Sequence, residues 1–357
     1  MAHSHPVRFP RIGTGTGRRG YDFITAGARR GGTPRIRGTT AWDGPGNAES
    51  GAVGRRYVIG PALTLDLPPV KTPVGRDEAE TVGDEEPKEP GRHVSTANVR
   101  DDHELARDLA TEAGERLLEL RERRFAAGDD PKAIRDAADL GSHRFLADAL
   151  ARLRPSDHLL SEEATREERL DPRRLTADRV WIIDPLDGTR EYGEPGRADW
   201  AVHVALWERT PDAPEGRLVA GAVALPAQGR TLSTVEPPKL PGPAERPRIA
   251  VSRTRPPEFV ERLAEQVGAE LVPIGSAGAK IAAVLTGEVD AYVHAGGQYE
   301  WDSAAPVAVA LAAGAHASRI DGSALTYNQA DPTLPDILVS LPELAPMLLA
   351  GIRDLHR

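Results

Sequence analysis

The chain has 357 residues and a net charge of −9, with 39% hydrophobic, 28% charged and only 4% aromatic residues. Its length suits one large domain or two modest ones, its acidity disfavours a general polyanion-binding surface, and its few rings disfavour a stacking platform for single-stranded nucleic acid. The absence of cysteine excludes disulfides, thiolate zinc sites, iron–sulfur clusters and thiol nucleophiles.

No stretch approaches 18 uninterrupted apolar residues, and the opening residues lack an apolar signal core. The expectation is a soluble cytoplasmic protein with no membrane partner. Residues 1–60 hold ten arginines against Asp22, Asp43 and Glu49, a net of +7, which leaves −16 of the overall −9 for the remainder. Glycine and proline interrupt this segment throughout, and Lys71 to Pro90 turns acidic and proline-bearing. Such composition buries too little apolar area to offset its ordering entropy, so residues 1–98 are expected to be a disordered extension. A transit peptide or a nucleic-acid arm is the functional alternative. The run Gly13-Thr14-Gly15-Thr16-Gly17 is rejected as a phosphate loop because no apolar strand leads into it.

Regular structure is expected from Asp101. Asp101 and Glu104 have capping-box spacing, and Leu105, Leu109, Ala113 and Leu117 recur every four residues as on an amphipathic helix. Leu146, Leu150 and Leu153 suggest a second helix, stopped before Pro155. Strands are predicted at Val180–Ile183, along the alternation Trp200, Val202, Val204, Leu206, and at Leu218–Leu225, Ile249–Val251 and Val289–Val293. Helices are predicted at Pro257–Val267, Ala277–Leu285, Ala304–Ala313 and Leu344–Leu355. This mixture implies an α/β class of layered sheets and helices.

The strongest chemical signal is Trp181-Ile182-Ile183-Asp184-Pro185-Leu186-Asp187-Gly188-Thr189. A buried strand ends there on Asp184 and Asp187, with Pro185 stiffening the turn and Gly188 permitting close backbone approach. Two carboxylates flanking the Leu186 carbonyl suit a hard, oxygen-seeking cation, and a helix starting after Thr189 would add free amides for an anion. The plain alternative is a surface Asx turn. Ser161-Glu162-Glu163 follows another apolar pair, Leu159-Leu160, and by itself reads equally as a solvated charge pair. Asp302, in Trp301-Asp302, reads as a ligand or as a helix N-cap. Asp139 lies early in a helical stretch. Gathered in one partly buried place, these acids repel one another unless cations neutralise them, and magnesium fits oxygen ligands unaccompanied by cysteine or a His-x-x-x-His pair.

The D-P-x-D-G-T element, the upstream S-E-E and the downstream W-D-S-A-A-P-V-A-V-A-L-A-A-G resemble the inositol monophosphatase superfamily, and within it the bisphosphate nucleotidases of CysQ type. The resemblance covers about residues 100–357. It departs at Glu194, where another polar or basic residue is usual, and at Asp136, where the family often has threonine in the element matched by Asp136-Ala137-Ala138-Asp139.

The resemblance implies an αβαβα sandwich of two subdomains, 99–245 with most metal ligands and 246–357 with Asp302 and the substrate contacts. It implies two or three Mg²⁺ ions on Glu162, Asp184, the carbonyl of Leu186, Asp187 and Asp302. It further implies a catalytic set of Thr189 and Asp139, which orient and deprotonate the attacking water, with Glu162, and a scissile phosphate held by the amides of Gly188 and Thr189. A homodimer and lithium sensitivity are also implied.

Lys280 stands near the start of a predicted helix, where a cation is unfavourable alone, so an anionic ligand explains it; nucleotidase relatives have lysine here. Arg253 reads as a second contact for a second phosphate or as a solvated arginine. The place of the family's ring-hydroxyl glutamate falls on His294 or Ala295, which disfavours inositol phosphate. Trp200, His203, Trp207 and Tyr299 read as core or as walls of a base pocket. The expected activity is hydrolysis of 3′-phosphoadenosine 5′-phosphate to AMP and phosphate, with the sulfated nucleotide as a further substrate, in sulfur assimilation. The rivals are an inositol-1-phosphate or fructose-1,6-bisphosphate phosphatase and a non-catalytic nucleotide-binding protein. A small phosphorylated nucleotide is the expected partner, and nucleic acid is not.

Overall fold

The computed structural model describes residues 101–254 and 256–355, so the extension expected at 1–98 and the glycine–threonine run within it lie outside the described residues. Helix α1 (Asp102–Ala126) is capped by the Asp101 carboxylate, which accepts from the amide of His103. That amide lies one residue before the one a capping box uses, so Asp101 makes a simple cap. Helix α2 (Pro131–Leu153) starts on Asp130 with Pro131 in its first turn, where a missing N–H forfeits no helical bond.

Strand β1 (His158–Ser161) leads through the short helices α3 (Arg166–Arg169) and α4 (Pro172–Thr176) into β2 (Arg179–Asp187). After the four-residue helix α5 (Thr189–Tyr192) come β3 (Ala201–Thr210), β4 (Ala213–Leu225) and β5 (Arg230–Ser233). These strands form one sheet in the order β1-β2-β3-β4-β5, parallel between β1 and β2 and antiparallel elsewhere.

The second sheet holds β6 (Arg248–Ser252), β7 (Glu270–Ile274), β8 (Ala291–Tyr299), β9 (His316–Ser318) and β10 (Thr333–Ser340), ordered β7-β6-β8-β10-β9. Its helices are α6 (Glu258–Val267), α7 (Ala277–Thr286), α8 (Glu300–Ala312) and α9 (Ala345–Leu355). Among the described residues no helix is long and apolar enough to cross a membrane.

Strand periodicity makes five layers of these elements. On β2, Trp181 and Ile183 face Leu105, Leu109 and Leu146 of α1 and α2, whereas Val180 and Ile182 face the opposite core. That central core takes Ile281 and Leu285 of α7, Ala305 and Val309 of α8, and Tyr292, Ile337 and Val339 of the second sheet. The alternate residues Ile249, Val251, Val293 and Leu338 turn outward onto Val260 and Leu263 of α6 and Leu348 and Ile352 of α9. The αβαβα order is therefore a direct result of residues alternating along doubly covered strands. Helix α8 comes close to β4 at Gly221, where a Cβ would stand 2.6 Å from that of Ala308.

Several element boundaries differ from expectation. The strand predicted to end at Ile183 runs on to Asp187, so both acids lie on β2 rather than beyond it. Its pairing with β3 shifts between Asp184 and Asp187, where Pro185 has no amide to give the ladder. Val289 and Asp290 precede β8, and α8 begins at Glu300 rather than Ala304. Strands β5, β7, β9 and β10 have no counterpart among those predicted.

Candidate active site

The acids at the end of β2 and in the first turn of α8 come together in the fold. Asp184, Asp187 and Asp302 each offer a carboxylate oxygen, and these oxygens lie within 4.8 Å of one another. At such spacing each ionised pair repels by about 3 kcal/mol at an effective dielectric of about 20. Asp184 is 1% exposed; its Oδ1 accepts from the amide of Leu186 at 3.0 Å, and its Oδ2 has no fixed donor among the described residues. Glu162, directly after β1, lies outside this trio, but its negative charge is near enough to help raise the Asp184 carboxyl.

Burial first, and then the neighbouring negative charges, pushes Asp302 and Glu162 up to about 7 and Asp184 well above the ordinary carboxylate range. Asp302 sits in the first turn of α8, where its Oδ2 accepts from the amide of Tyr299 at 2.8 Å; Tyr299 itself is the N-cap.

Asp187 behaves differently. Burial raises its pKa, but His203, the Gly278 amide and Lys280 together outweigh burial and hold it below the usual value. Its Oδ2 accepts from Gly278 N at 2.6 Å and faces His203 Nε2 at 3.3 Å, and its Oδ1 accepts from Ala277 N at 3.3 Å. The first amides of α7 are thus already used by one carboxylate. His203 is fully buried, and its Nδ1 donates to the Trp301 carbonyl at 2.9 Å, since a carbonyl can only accept. Gly278 makes room for this ring, because a Cβ there would stand 2.0 Å from His203 Nε2.

Thr189 opens α5 and lies beside Asp139 on α2. Its hydroxyl is 3.4 Å from Asp139 Oδ1 and 3.1 Å from the Leu186 carbonyl, and its single proton can be given to either acceptor. Burial, followed by the charge of Glu163, raises Asp139 to about 7. Gly188 before it has φ +85°, and a Cβ would meet Ser276 Cβ at 2.9 Å, so no other residue fits this turn without strain.

The donor set is all oxygen, crowded, and charged beyond what local amides compensate. That chemistry fits a hard divalent cation held by Asp184, Asp187 and Asp302 with Glu162 beside them. A cavity of about 430 Å³ opens onto Asp187 and Asp302 and is lined also by Gly188, Glu191, Lys280, Tyr292, His294 and Gln298.

The family model for the inositol monophosphatase family matches residues 98–356. The chain belongs to the inositol monophosphatase family. A 3′-phosphoadenosine 5′-phosphate phosphatase of Mycobacterium leprae is 52% identical over 260 residues, covering 71% of this chain and 94% of that protein. The 3′(2′),5′-bisphosphate nucleotidase CysQ of Escherichia coli K12 is 31% identical over 230 residues, 57% of this chain and 84% of its own. Inositol monophosphatase II of Staphylococcus aureus has the same fold, with a TM-score of 0.58 at 22% identity, over 71% of this chain and 95% of that one. The family is metal-dependent, in keeping with the acidic cluster.

The remaining predicted site residues are placed as follows. Lys280 is 4% exposed and lines the cavity, with its Nζ donating to the carbonyls of Gly275 (2.5 Å) and Ser276 (2.9 Å) and standing over the Tyr292 ring. These carbonyls are what let a cation sit near a helix start. Arg253 is ion-paired with Glu191 and Glu194, at 2.8 and 2.9 Å, so its charge is already met by two acids.

Trp200, His203 and Trp207 are core, whereas Tyr299 is 42% exposed and stacks on Trp301 beside a different cavity that includes Glu162. Sequence reasoning missed His203 as the partner of Asp187 and Glu191 as a wall of the cavity. The signal for His203 was available: it is the one polar residue in the apolar run Ala201–Trp207, and it pairs in register with Asp184.

Proposed function

We propose that this chain is a Mg²⁺-dependent phosphatase that removes the 3′-phosphate of 3′-phosphoadenosine 5′-phosphate, leaving AMP, and that treats the sulfated nucleotide likewise. The observation that carries the reading is the convergence of Asp184, Asp187 and Asp302, the last two of which line a cavity that also presents a buried lysine. The mycobacterial relative named for this substrate, at 52% identity, supports the choice among phosphate esters.

Asp184, Asp187, Asp302, Glu162 and the Leu186 carbonyl would hold the magnesium, which when bound acidifies water and neutralises developing charge in an in-line displacement. Thr189 orients the attacking water through its hydroxyl, and Asp139, with a pKa of about 7, takes the proton by way of that hydroxyl. The amides of Gly188 and Thr189 receive the phosphoryl oxygens. Water adds to phosphorus as the ester P–O bond breaks, and the sugar oxygen leaves and takes a proton from solvent to become a hydroxyl, while the proton held by Asp139 returns to solvent. Lys280 takes the second phosphate, and Arg253 joins it by exchanging Glu194, the more exposed of its two acids. The division into subdomains near residue 245 belongs to the same proposal: the first sheet ends at Ser233 and the second starts at Arg248, so Lys280 and Asp302 come from the later half.

The test is phosphate release from 3′-phosphoadenosine 5′-phosphate, inositol-1-phosphate and fructose-1,6-bisphosphate at equal concentration, with magnesium, calcium, and magnesium plus lithium. We expect the nucleotide to be preferred and turnover to need magnesium and to fall with lithium. A preference for inositol-1-phosphate overturns the assignment, and nucleotide binding with no release of phosphate from any ester shows a binding protein instead.

A further inference from the structure

We infer that Arg121 is a positioning residue for the turn that carries Thr189, an inference that rests on the reading of Thr189 as part of the reacting machinery. The Arg121 side chain, 8% exposed on the inner face of α1, gathers four backbone carbonyls from one short segment. Its Nε donates to Tyr192 O at 2.8 Å, its Nη1 to Arg197 O at 2.9 Å, and its Nη2 to Glu191 O at 3.3 Å and Glu194 O at 2.6 Å. No acid pairs with it in the ion pairs of the described residues. The rings of Tyr192, Trp200 and Phe125 stand 5.5, 5.6 and 5.7 Å from its guanidinium carbon.

A buried cation without a counter-ion is a costly way to fill a core, and an apolar side chain would serve packing alone better. What the guanidinium accomplishes is alignment. Helix α5 has only four residues, too few to persist on its own bonds, and the carbonyls of its last turn are among those Arg121 takes. A planar fork of five donors that never deprotonates holds such a set in fixed geometry.

One turn earlier on α1, the Leu117 carbonyl accepts from Tyr192 Oη at 2.8 Å, so the end of α5 is tied twice to the same helix face. The start of α5 is tied to α2 by the Thr189–Asp139 contact. The direction of the Thr189 hydroxyl therefore depends on how α5 is seated on α1. The one departure from the family noted at the end of this motif, Glu194, supplies the shortest of the four carbonyl contacts.

The experiment compares the full-length wild type with Arg121→Lys and Arg121→Ala, following kcat and KM for magnesium-dependent phosphate release, thermal unfolding, and amide hydrogen exchange in residues 189–197. We expect kcat to fall about ten- to a hundredfold at a KM within about twofold, as displacement of a catalytic group by about 1 Å would do. In Arg121→Ala, millimolar guanidinium, but not methylammonium, is expected to restore part of kcat. Exchange across 189–197 is expected to quicken in Arg121→Lys while the unfolding midpoint stays near that of the wild type.

Wild-type kcat in either folded variant, or a loss confined to KM, overturns the inference. Should the alanine variant not fold, the lysine variant decides on the same terms. A wild type that releases no phosphate from any ester sinks the proposed function instead; the clamp is then judged by exchange alone, and unchanged exchange in Arg121→Lys overturns it.

Discussion

Two kinds of carboxylate share this site. Asp187 lies among donors and stays ionised, whereas Asp184, Asp302, Glu162 and Asp139 are pushed up by burial and by one another. For the raised group, the folded protein without metal binds more protons than the unfolded chain between roughly pH 4 and about 7. Stability from these acids is therefore present at low pH and is lost as pH rises through that window. A divalent cation must displace the same protons, so its affinity rises with pH.

The expected outcome is a larger rise in melting temperature on adding magnesium at pH 8 than at pH 6, checked by thermal unfolding at matched ionic strength. An equal rise at both values contradicts the protonation pattern. Replacing Asp184 with asparagine removes a crowded charge while keeping its shape. At pH 8 the metal-free Asp184→Asn protein should melt several degrees above the wild type, yet gain little from magnesium and lose turnover by at least a thousandfold. Asp187→Asn should likewise lose turnover by orders of magnitude while remaining folded, and retention of activity there would contradict the proposed ligand set.

Helix α8 shows how one element's packing serves the chemistry. Asp302 is delivered by the first turn of a helix that lies against β4 across Gly221, with the Ala305 carbonyl 3.0 Å and the Ala308 Cβ 2.6 Å from where a side chain would begin. Gly221→Ala must push the helix away, at a cost of about 1–3 kcal/mol, measurable by urea unfolding. The helix itself was readable in the sequence but its start was not: it begins at Glu300, before the apolar Ala/Val run that marked it, and carries Pro306 in its interior.

Strand β2 and the D-P-x-D-G-T element were legible because both faces of β2 are buried and its run is unbroken. Strand β7 escaped because Pro273 lies within it, which an edge strand tolerates, and β10 because Pro335 and Asp336 interrupt its pattern before the buried Ile337–Ser340. In the site, residue type alone identified the carboxylates. Contacts made by backbone carbonyls, such as those holding Lys280 and Arg121, leave no trace in residue identity and needed the fold to be seen.

Across the whole molecule, the family match begins at residue 98, and relatives aligned over most of their own length use about 70% of this chain. A protein starting at Asn98 should therefore keep kcat/KM within about twofold of the full chain. A large loss would assign the first 97 residues a part in turnover. The ligand set itself is drawn from widely separated stretches, with Asp184 and Asp187 on the first sheet and Asp302 on the helix that follows β8. In a chain without cysteine, an ion gripped by all three would act as a rivet between the sheet and that helix. Scarcity of such an ion would then do more than stall the reaction: it would loosen the seam, leaving the starved enzyme more open to proteolysis than its idle, ion-replete form.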